Sequence, residues 1–196
     1  MKEIFNLIAY RPDVKVVDAT MRDGGLVNNF YFKDEFVKAL YLANLRAGVD
    51  YMEFGYKASK EMFDVDKFGK WKFCADDDIR EIVGENATDL KLAVMADVGR
   101  CDKADIINRA DSPIDLIRVA TYVNTIPGAV DMIEDAAKKG YEVSCNVMAI
   151  SHSQEGDLKT ALDILGQTPV DVLYIVDSFG AMYPEQVARL ADTYME

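Results

Sequence analysis

Short runs of aliphatic and β-branched residues alternate with longer amphipathic segments along the whole chain. Six of these runs are almost continuously apolar, as expected for parallel strands that are buried on both faces. They cover residues 15–18, 51–55, 90–96, 116–120, 142–148 and 172–176. The apolar positions between them are spaced three or four residues apart, which predicts helices at 33–46, 76–83, 103–109, 158–165 and 184–194.

One further helix is predicted to run from Val130 to the sequence Lys138-Lys139-Gly140. Lysines in a last helical turn are favourable near the negative end of the helix dipole, and glycine suits the left-handed residue that follows. Six strand–helix units in a row fit either an open doubly wound sheet or a TIM (β/α)8-type barrel. A doubly wound sheet often carries Gly-x-Gly-x-x-Gly after its first strand, and this spacing is absent here, so the pattern favours the barrel.

Length and charge narrow the range of partners. Half of the 196 residues are hydrophobic, which is enough for the core of one domain. The net charge is -12 and no basic stripe is visible, so neither nucleic acid nor an anionic membrane is an expected partner. A small anionic substrate would need a local positive group. The three cysteines are far apart and the chain does not open on a long apolar segment, so we expect a cytoplasmic protein without a signal peptide.

Polar side chains lie at the carboxyl ends of the predicted strands. Active sites of βα-barrel proteins are built at this end of the sheet. Asp18, Glu53 and Asp177 lie in or beside apolar runs, where a carboxylate is costly unless it is paired or bound to a cation. In a barrel, we expect these three carboxylates to converge on one face. The other polar residues at the strand ends are Thr20, Arg22, Asp23, Asp97, Thr121, Tyr122, Asn146, Ser151, His152 and Ser178.

The dipeptide Arg22-Asp23 is the sharpest chemical feature of these ends. An aspartate oxygen can bind Mg²⁺ or Mn²⁺, and an arginine offers several donors to an oxyanion. Gly24 and Gly25 would allow a tight turn beside such a site. By spacing alone, a surface Arg–Asp turn before a helix is an equally good interpretation.

The segment Val17-Asp-Ala-Thr-Met-Arg-Asp-Gly-Gly25 closely resembles the strand-one motif of the DRE-TIM metallolyases, the HMG-CoA lyase-like family, and above all its 4-hydroxy-2-oxovalerate aldolase branch. Segments 117–121, 146–152 and 174–182 resemble the same family on strands four, five and six. The resemblance runs from residue 16 to residue 190, with a poor match at 54–82. It implies a TIM barrel.

The resemblance also implies a chemistry. Arg22 matches the arginine that stabilises an enolate oxygen, and Asp23 matches the aspartate that ligates a divalent metal, Mn²⁺ or Mg²⁺. The implied function is a metal-dependent aldolase-type lyase that cleaves a 4-hydroxy-2-oxo acid through a pyruvate enolate. Arg22 and Asp23 are then the expected catalytic residues. The residues expected to bind the substrate are Asn28, Glu53, Thr121, Asn146, Asp177 and Ser178.

The sequence departs from the family pattern at two places. The family completes its metal site with a His-x-His pair on strand seven, whereas this chain has one histidine, His152, which we expect to be a loop residue. A whole barrel usually needs about 250 residues, so residues 1–196 are expected to form a single, incomplete barrel domain that lacks strands seven and eight and is inactive by itself. The family's catalytic histidine corresponds to Leu26, which leaves Tyr122 or Glu53 as candidates for proton transfer.

Two alternative functions stay open. One is a Claisen-type condensing enzyme that joins an acyl-CoA to a 2-oxo acid. The other is a catalytically inactive barrel that serves as an interaction module. The open first and sixth strands would favour a homo-oligomer, and nothing in the sequence supports the aldehyde dehydrogenase partner of the bacterial 4-hydroxy-2-oxovalerate system.

Overall fold

Six parallel strands form one curled sheet in a computed structural model that describes residues 12–195. The strands are β1 (Val17–Asp18), β2 (Tyr51–Tyr56), β3 (Lys91–Asp97), β4 (Leu116–Thr121), β5 (Glu142–Val147) and β6 (Val172–Ile175). Their order in the sheet is their order along the chain, without the reversal that defines a doubly wound sheet. The partial TIM barrel is therefore confirmed. Within the described residues, β1 and β6 each pair on one side only.

Six α-helices accompany the strands in the described part of the chain. They are α1 (Thr20–Asn28), α2 (Asp34–Ala47), α3 (Asp76–Val83), α4 (Ile126–Lys138), α5 (Glu155–Leu165) and α6 (Pro184–Met195). Helix α4 begins four residues before Val130 because Pro127 lies in its first turn, where a missing N–H costs nothing. None of the helices between residues 12 and 195 has the length and apolar character needed to cross a membrane.

The helix predicted at 103–109 is wrong. The structure instead has two 3-10 turns, Lys103–Asp105 and Arg109–Asp111, with Ile106 in an extended conformation after the first. The Asp102 side chain accepts the amide of Ala104 at 2.9 Å and so favours a local turn. Ile106 is buried, whereas Ile107 is 39% exposed, so the segment lacks an apolar face that could hold a helix against the barrel.

The segment expected to turn tightly at Gly24 and Gly25 is part of the nine-residue helix α1, which starts directly after β1. Asp18 fixes this start. Its Oδ1 accepts the amide of Thr20 at 3.3 Å and the Thr20 hydroxyl at 2.5 Å, and its Oδ2 accepts the amide group of Asn44 in α2 at 2.9 Å. The Arg22–Asp23 pair consequently lies on the first turn of a helix, at the carboxyl end of β1.

The pleat of the strands divides the core into two faces. Outward-facing residues such as Met52, Phe54 and Ile117 join the large hydrophobic cluster beneath the helices, whereas Tyr51, Ala93 and Leu116 form a small cluster of their own. Because side chains alternate along a strand, Glu53 shares its face with Tyr51, and Arg118 shares its face with Leu116. The inner face is thus apolar near the amino ends of the strands and charged further along them.

The two neighbouring glycines of α1 should respond oppositely to alanine. A Cβ on Gly25 would lie 2.2 Å from the Phe30 ring, which is 2% exposed, whereas a Cβ on Gly24 would come no closer than 3.8 Å to the Phe32 ring. We expect Gly25→Ala to lower the free energy of unfolding by about 1–3 kcal/mol through overpacking. Gly24→Ala should raise it by up to about 1 kcal/mol through helix propensity. Urea unfolding measures both, and equal effects would contradict the packing described here.

Candidate active site

Arg22 is held at the carboxyl end of β1 by two carboxylates. Its Nε donates to Oε2 of Glu53 at 3.0 Å, and its Nη1 donates to Oδ1 of Asp23 at 3.0 Å. Glu53 is fully buried, the Arg22 side chain is 18% exposed and Asp23 is 71% exposed. Burial disfavours the charged form of Arg22, but the attraction of Glu53 more than offsets this and raises the pKa of Arg22 above its usual value.

A second guanidinium contacts the same oxygen of Glu53. Arg118, on β4, donates its Nη1 to Glu53 Oε2, and its side chain is 7% exposed. The face of the Tyr174 ring, on β6, lies 4.6 Å from the Arg118 guanidinium carbon. Sequence reasoning did not assign Arg118 to the site. The available signal was a lone arginine in the middle of an apolar strand, which needs a buried anionic partner.

Tyr56 connects this cluster to a buried lysine and aspartate. Burial and the nearby Asp97 raise the pKa of Tyr56, while a hydrogen bond from Arg22 lowers it. The ammonium of Lys72 lies 4.4 Å from the centre of the Tyr56 ring and 4.4 Å from that of Phe63. Burial lowers the pKa of Lys72, against the attraction of Asp97. Tyr56 and Lys72 fall in the segment that resembled the family poorly, so that resemblance could not indicate them.

Asp97, at the end of β3, is a buried carboxylate in this group whose charged form is unfavourable. Burial raises its pKa above the usual value, against the positive charges of Lys72, Arg100 and Arg22. Its Oδ1 is buried and has no hydrogen-bond partner among the described residues. The ionised form of Asp97 therefore lowers the stability of the fold at neutral pH.

The expected convergence of Asp18, Glu53 and Asp177 is wrong. Asp18 is paired in register with Met52, so it faces outward, one residue out of phase with Glu53, and bonds to α2. Asp177 accepts the amide of Met182 at 2.9 Å, and this amide, with those of residues 179–181, lowers the pKa of Asp177. Its carboxylate holds its own loop together. Glu53 alone of the three faces Arg22.

Two of the residues expected to bind the substrate instead form hydrogen bonds that fix the ends of neighbouring elements. Thr121 is 1% exposed, and its hydroxyl lies 2.9 Å from the hydroxyl of Thr125 at the entrance to α4. Asn28 bonds to the backbone of Phe30 and Tyr31, at 3.0 and 2.9 Å, where α1 ends. In the part of the chain that the structure describes, neither side chain forms a hydrogen bond with Arg22 or Glu53.

Asn146 and Ser178 have different surroundings. Asn146, on β5, is 6% exposed, and its Oδ1 has no partner among the described residues. Ser178 accepts the amide of Ala149 at 2.9 Å and so ties the loop after β6 to the loop after β5. Of the two, Asn146 retains a free acceptor on the inner face.

His152 and Tyr122 line a groove of about 640 Å³ between α4 and α5. The His152 ring is exposed and lies 4.4 Å from the Phe179 ring. His152 is the last residue of a 3-10 turn, Ile150–His152, in the connection between β5 and α5. Tyr122, a candidate for proton transfer, lies in this groove and is 47% exposed.

No protein-family profile matches the chain. Among the relatives, 4-hydroxy-2-oxovalerate aldolase 3 of Rhodococcus jostii is 28% identical over 94% of this chain and 54% of its own length. Oxaloacetate decarboxylase of Mycobacterium tuberculosis is 27% identical over 90% of this chain and 52% of its own length. The names of these relatives fit the DRE-TIM metallolyase family, at modest identity. It spans about half the length of the curated relatives it matches.

A solved structure supports the same relationship. The N-terminal domain of a candidate aldolase from Bacteroides vulgatus superposes with a TM-score of 0.77 and is 28% identical. The match covers 93% of this chain and 60% of that one. The fold described here is therefore shared with that domain over the superposed residues.

The DRE-TIM resemblance implies a bound divalent metal. Residues 12–195 provide an incomplete set of ligands for it. No group of three histidine, cysteine, aspartate or glutamate residues in that range could hold an ion. Asp23 is a single exposed carboxylate whose nearest charge is Arg22. One carboxylate is too few for a divalent cation site, which usually takes several oxygen ligands. These residues by themselves do not fit a bound metal.

Replacing Asp97 tests its buried charge. Because the folded-state pKa is raised, the carboxylate is more costly in the folded state than in the unfolded state once the pH exceeds the unfolded pKa. We expect Asp97→Asn to raise the free energy of unfolding by about 1 kcal/mol at pH 7.5 and by much less near pH 4. Urea unfolding at both pH values checks this, with the exposed Asp89→Asn as the control. A gain that does not depend on pH would contradict it.

Metal titration tests the ligand count. We expect calorimetry to give a dissociation constant for Mn²⁺ weaker than about 10⁻³ M for the chain as it stands, because that is already the weak end for hard divalent cations in proteins. Asp23→Asn should change this little. Tight binding that Asp23→Asn abolishes would show a metal site that the described residues do not reveal.

Proposed function

We propose that this chain carries the enolate-stabilising part of an aldolase-type lyase that cleaves a 4-hydroxy-2-oxo acid into pyruvate and an aldehyde. The observation that carries the proposal is the fixed position of Arg22, at the carboxyl end of β1, between the buried Glu53 and the exposed Asp23. The relatives named 4-hydroxy-2-oxovalerate aldolase support the reaction class. The proposed substrate is a small 2-oxo acid, and the proposed location of the enzyme is the cytoplasm.

The reaction breaks the bond between C3 and C4 of the substrate. A base removes the proton of the C4 hydroxyl, the C4 oxygen forms the aldehyde carbonyl, and the electrons of the broken bond give the enolate of pyruvate. Protonation at C3 then completes pyruvate. Negative charge therefore develops on the C2 oxygen, and Arg22 is the donor that would stabilise it. One preorganised donor of this kind contributes roughly 3–4 kcal/mol to lowering a barrier.

Glu53 serves this chemistry by holding Arg22. Its Oε2 accepts hydrogen bonds from two guanidinium groups, whereas its Oε1 has no hydrogen-bond partner in the described part of the chain. Asn146 adds a second free acceptor oxygen on the inner face. We assign Glu53 and Asn146 to the substrate side of the site, and Thr121, Asn28, Asp177 and Ser178 to the loops around it. A bound Mn²⁺ or Mg²⁺ would act as a Lewis acid in such a reaction, and no step here depends on it.

A second candidate reaction is decarboxylation of oxaloacetate, which is favoured by the relative from Mycobacterium tuberculosis. Loss of CO₂ from C4 of oxaloacetate leaves the same pyruvate enolate, so Arg22 would have the same role. The two reactions differ in the leaving group and in the base, which only the hydroxy acid requires. They are therefore distinguished by substrate preference and not by the position of Arg22.

The test compares Arg22 with an arginine outside the site. Pyruvate release is measured with Mn²⁺ present, from 4-hydroxy-2-oxo acids of several chain lengths and from oxaloacetate. It uses this chain and the complete product of its gene. We expect Arg22→Ala to lower kcat/KM by about 10²–10³-fold, because it removes the enolate donor. Arg46→Ala, an exposed change in the last turn of α2, should leave it within about twofold.

Each result separates the candidate functions. Activity on hydroxy acids supports the aldolase, and activity on oxaloacetate alone supports the decarboxylase. Condensation of an acyl-CoA with a 2-oxo acid in the absence of cleavage would support the Claisen-type alternative. No activity with any substrate, in wild type and Arg22→Ala alike, would favour the inactive barrel.

A further inference from the structure

The buried cluster on the inner face contains two positive charges and one negative charge. Arg22 Nε and Arg118 Nη1 donate to the same Oε2 of Glu53, and the three side chains are 18%, 7% and 0% exposed. Asp23 contacts Arg22 from the outside but is 71% exposed, so water screens its charge. The Arg22, Arg118 and Glu53 side chains therefore carry a surplus of one positive charge, and the neighbouring Lys72 and Asp97 add one charge of each sign.

This surplus stands against the charge of the whole chain. A net charge of -12 repels a small anion, so an anionic substrate needs a local positive field. Arg22 cannot provide that field alone, because Glu53 would neutralise it within a buried ion pair. Arg118 changes the balance, because it brings a second guanidinium to the same carboxylate oxygen.

The surroundings of Arg118 favour a positive charge. Its guanidinium lies over the face of Tyr174, which attracts cations. Its Nε is buried and has no partner among the described residues. A cavity of about 530 Å³ lies on the inner face and extends from Arg22 and Arg118 toward the amino ends of the strands, where Lys15, Asp13 and Glu142 also line it. The Ser144 hydroxyl lines the same cavity and has no partner in the described part of the chain. The positive charges thus border a space that a small molecule could enter.

We infer that Arg118 is a positioning residue that acts through Glu53: it shares the carboxylate with Arg22, so that Arg22 keeps positive charge available for the carboxylate or enolate of a small anionic ligand. The inference rests on the proposed function for the class of ligand, a 2-oxo acid anion. It goes further by assigning the affinity for that anion to a residue on β4 that lies behind Arg22.

The experiment compares variants that change the balance between the two arginine charges and the Glu53 charge. Binding of sodium pyruvate is measured by calorimetry at low ionic strength, with the complete product of the gene. Arg118→Met removes the surplus charge and should weaken binding by about tenfold or more, which corresponds to about 1.4 kcal/mol. The double variant Arg118→Met/Glu53→Gln removes the neutralising carboxylate as well and should restore the dissociation constant to within about threefold of wild type. Arg118→Lys keeps the charge and should bind nearly as wild type does.

A matched control removes the same charge elsewhere. Arg80 lies in α3, where it bonds to Asp77, so Arg80→Met changes the net charge by the same amount outside the cluster. It should leave pyruvate binding within about twofold of wild type. Urea unfolding of every variant shows which ones are folded, and the restored binding of the double variant is a result that a merely structural role of Arg118 would not produce.

Three outcomes would overturn the inference. They are wild-type protein that does not bind pyruvate, Arg118→Met that binds as wild type does, and a double variant that stays as weak as Arg118→Met. The pyruvate-release assay is independent of these results. If binding follows the charge pattern but no substrate is cleaved, the proposed function fails and the role of Arg118 stands. If cleavage occurs but binding ignores Arg118, the inference fails and the proposed function stands.

Discussion

Glu53 is a carboxylate with no exposed surface, placed at the third residue of a strand whose neighbours are apolar. Taking such a charge out of water is costly unless opposite charges and hydrogen bonds surround it. Arg22 from α1 and Arg118 from β4 meet that need at a single oxygen. The interaction consequently joins the first helix to the middle of the sheet. The position of Arg22 relative to the sheet follows from it.

Much of the fold could be predicted from sequence because it depends on repeated local signals. The six apolar strand segments, and the helices near 33–46, 76–83 and 184–194, have strong patterns, and the structure contains each element, although β1 and β6 are only partly buried or exposed. The failures arose where a local hydrogen bond competed with the pattern. The Asp102 side chain favours a turn in 103–109, and Asp18 starts a helix where two glycines suggested a turn. Neither effect has a periodic signature.

The site was harder to predict because a one-residue difference in strand phase decides which face a side chain occupies. Asp18 and Glu53 are both acidic and both lie on strands, yet Asp18 is in register with Met52 and points away from the interior. Arg22 and Asp23 stood out through their resemblance to a known motif. Tyr56 and Lys72 are recognised only once the fold is known, since each side chain is unremarkable in its own segment, whereas the sequence signal of Arg118 was its place in an apolar strand.

The packing around Phe30 extends beyond the stability of α1. Its ring occupies the space that a side chain on Gly25 would take, its carbonyl oxygen lies where a Cβ on Gly69 would be, and its edge meets the ring of Tyr56 at 5.5 Å. Phe30 also has a φ of 64°, which is unusual for an aromatic residue and needs firm packing to persist. The helix that carries Arg22, the strand that carries Tyr56 and the chain before Lys70 therefore all pack against one residue, Phe30, through its ring or its backbone. A movement of any one of them would shift the other two, so natural variation at Phe30, Gly25 and Gly69 should be correlated.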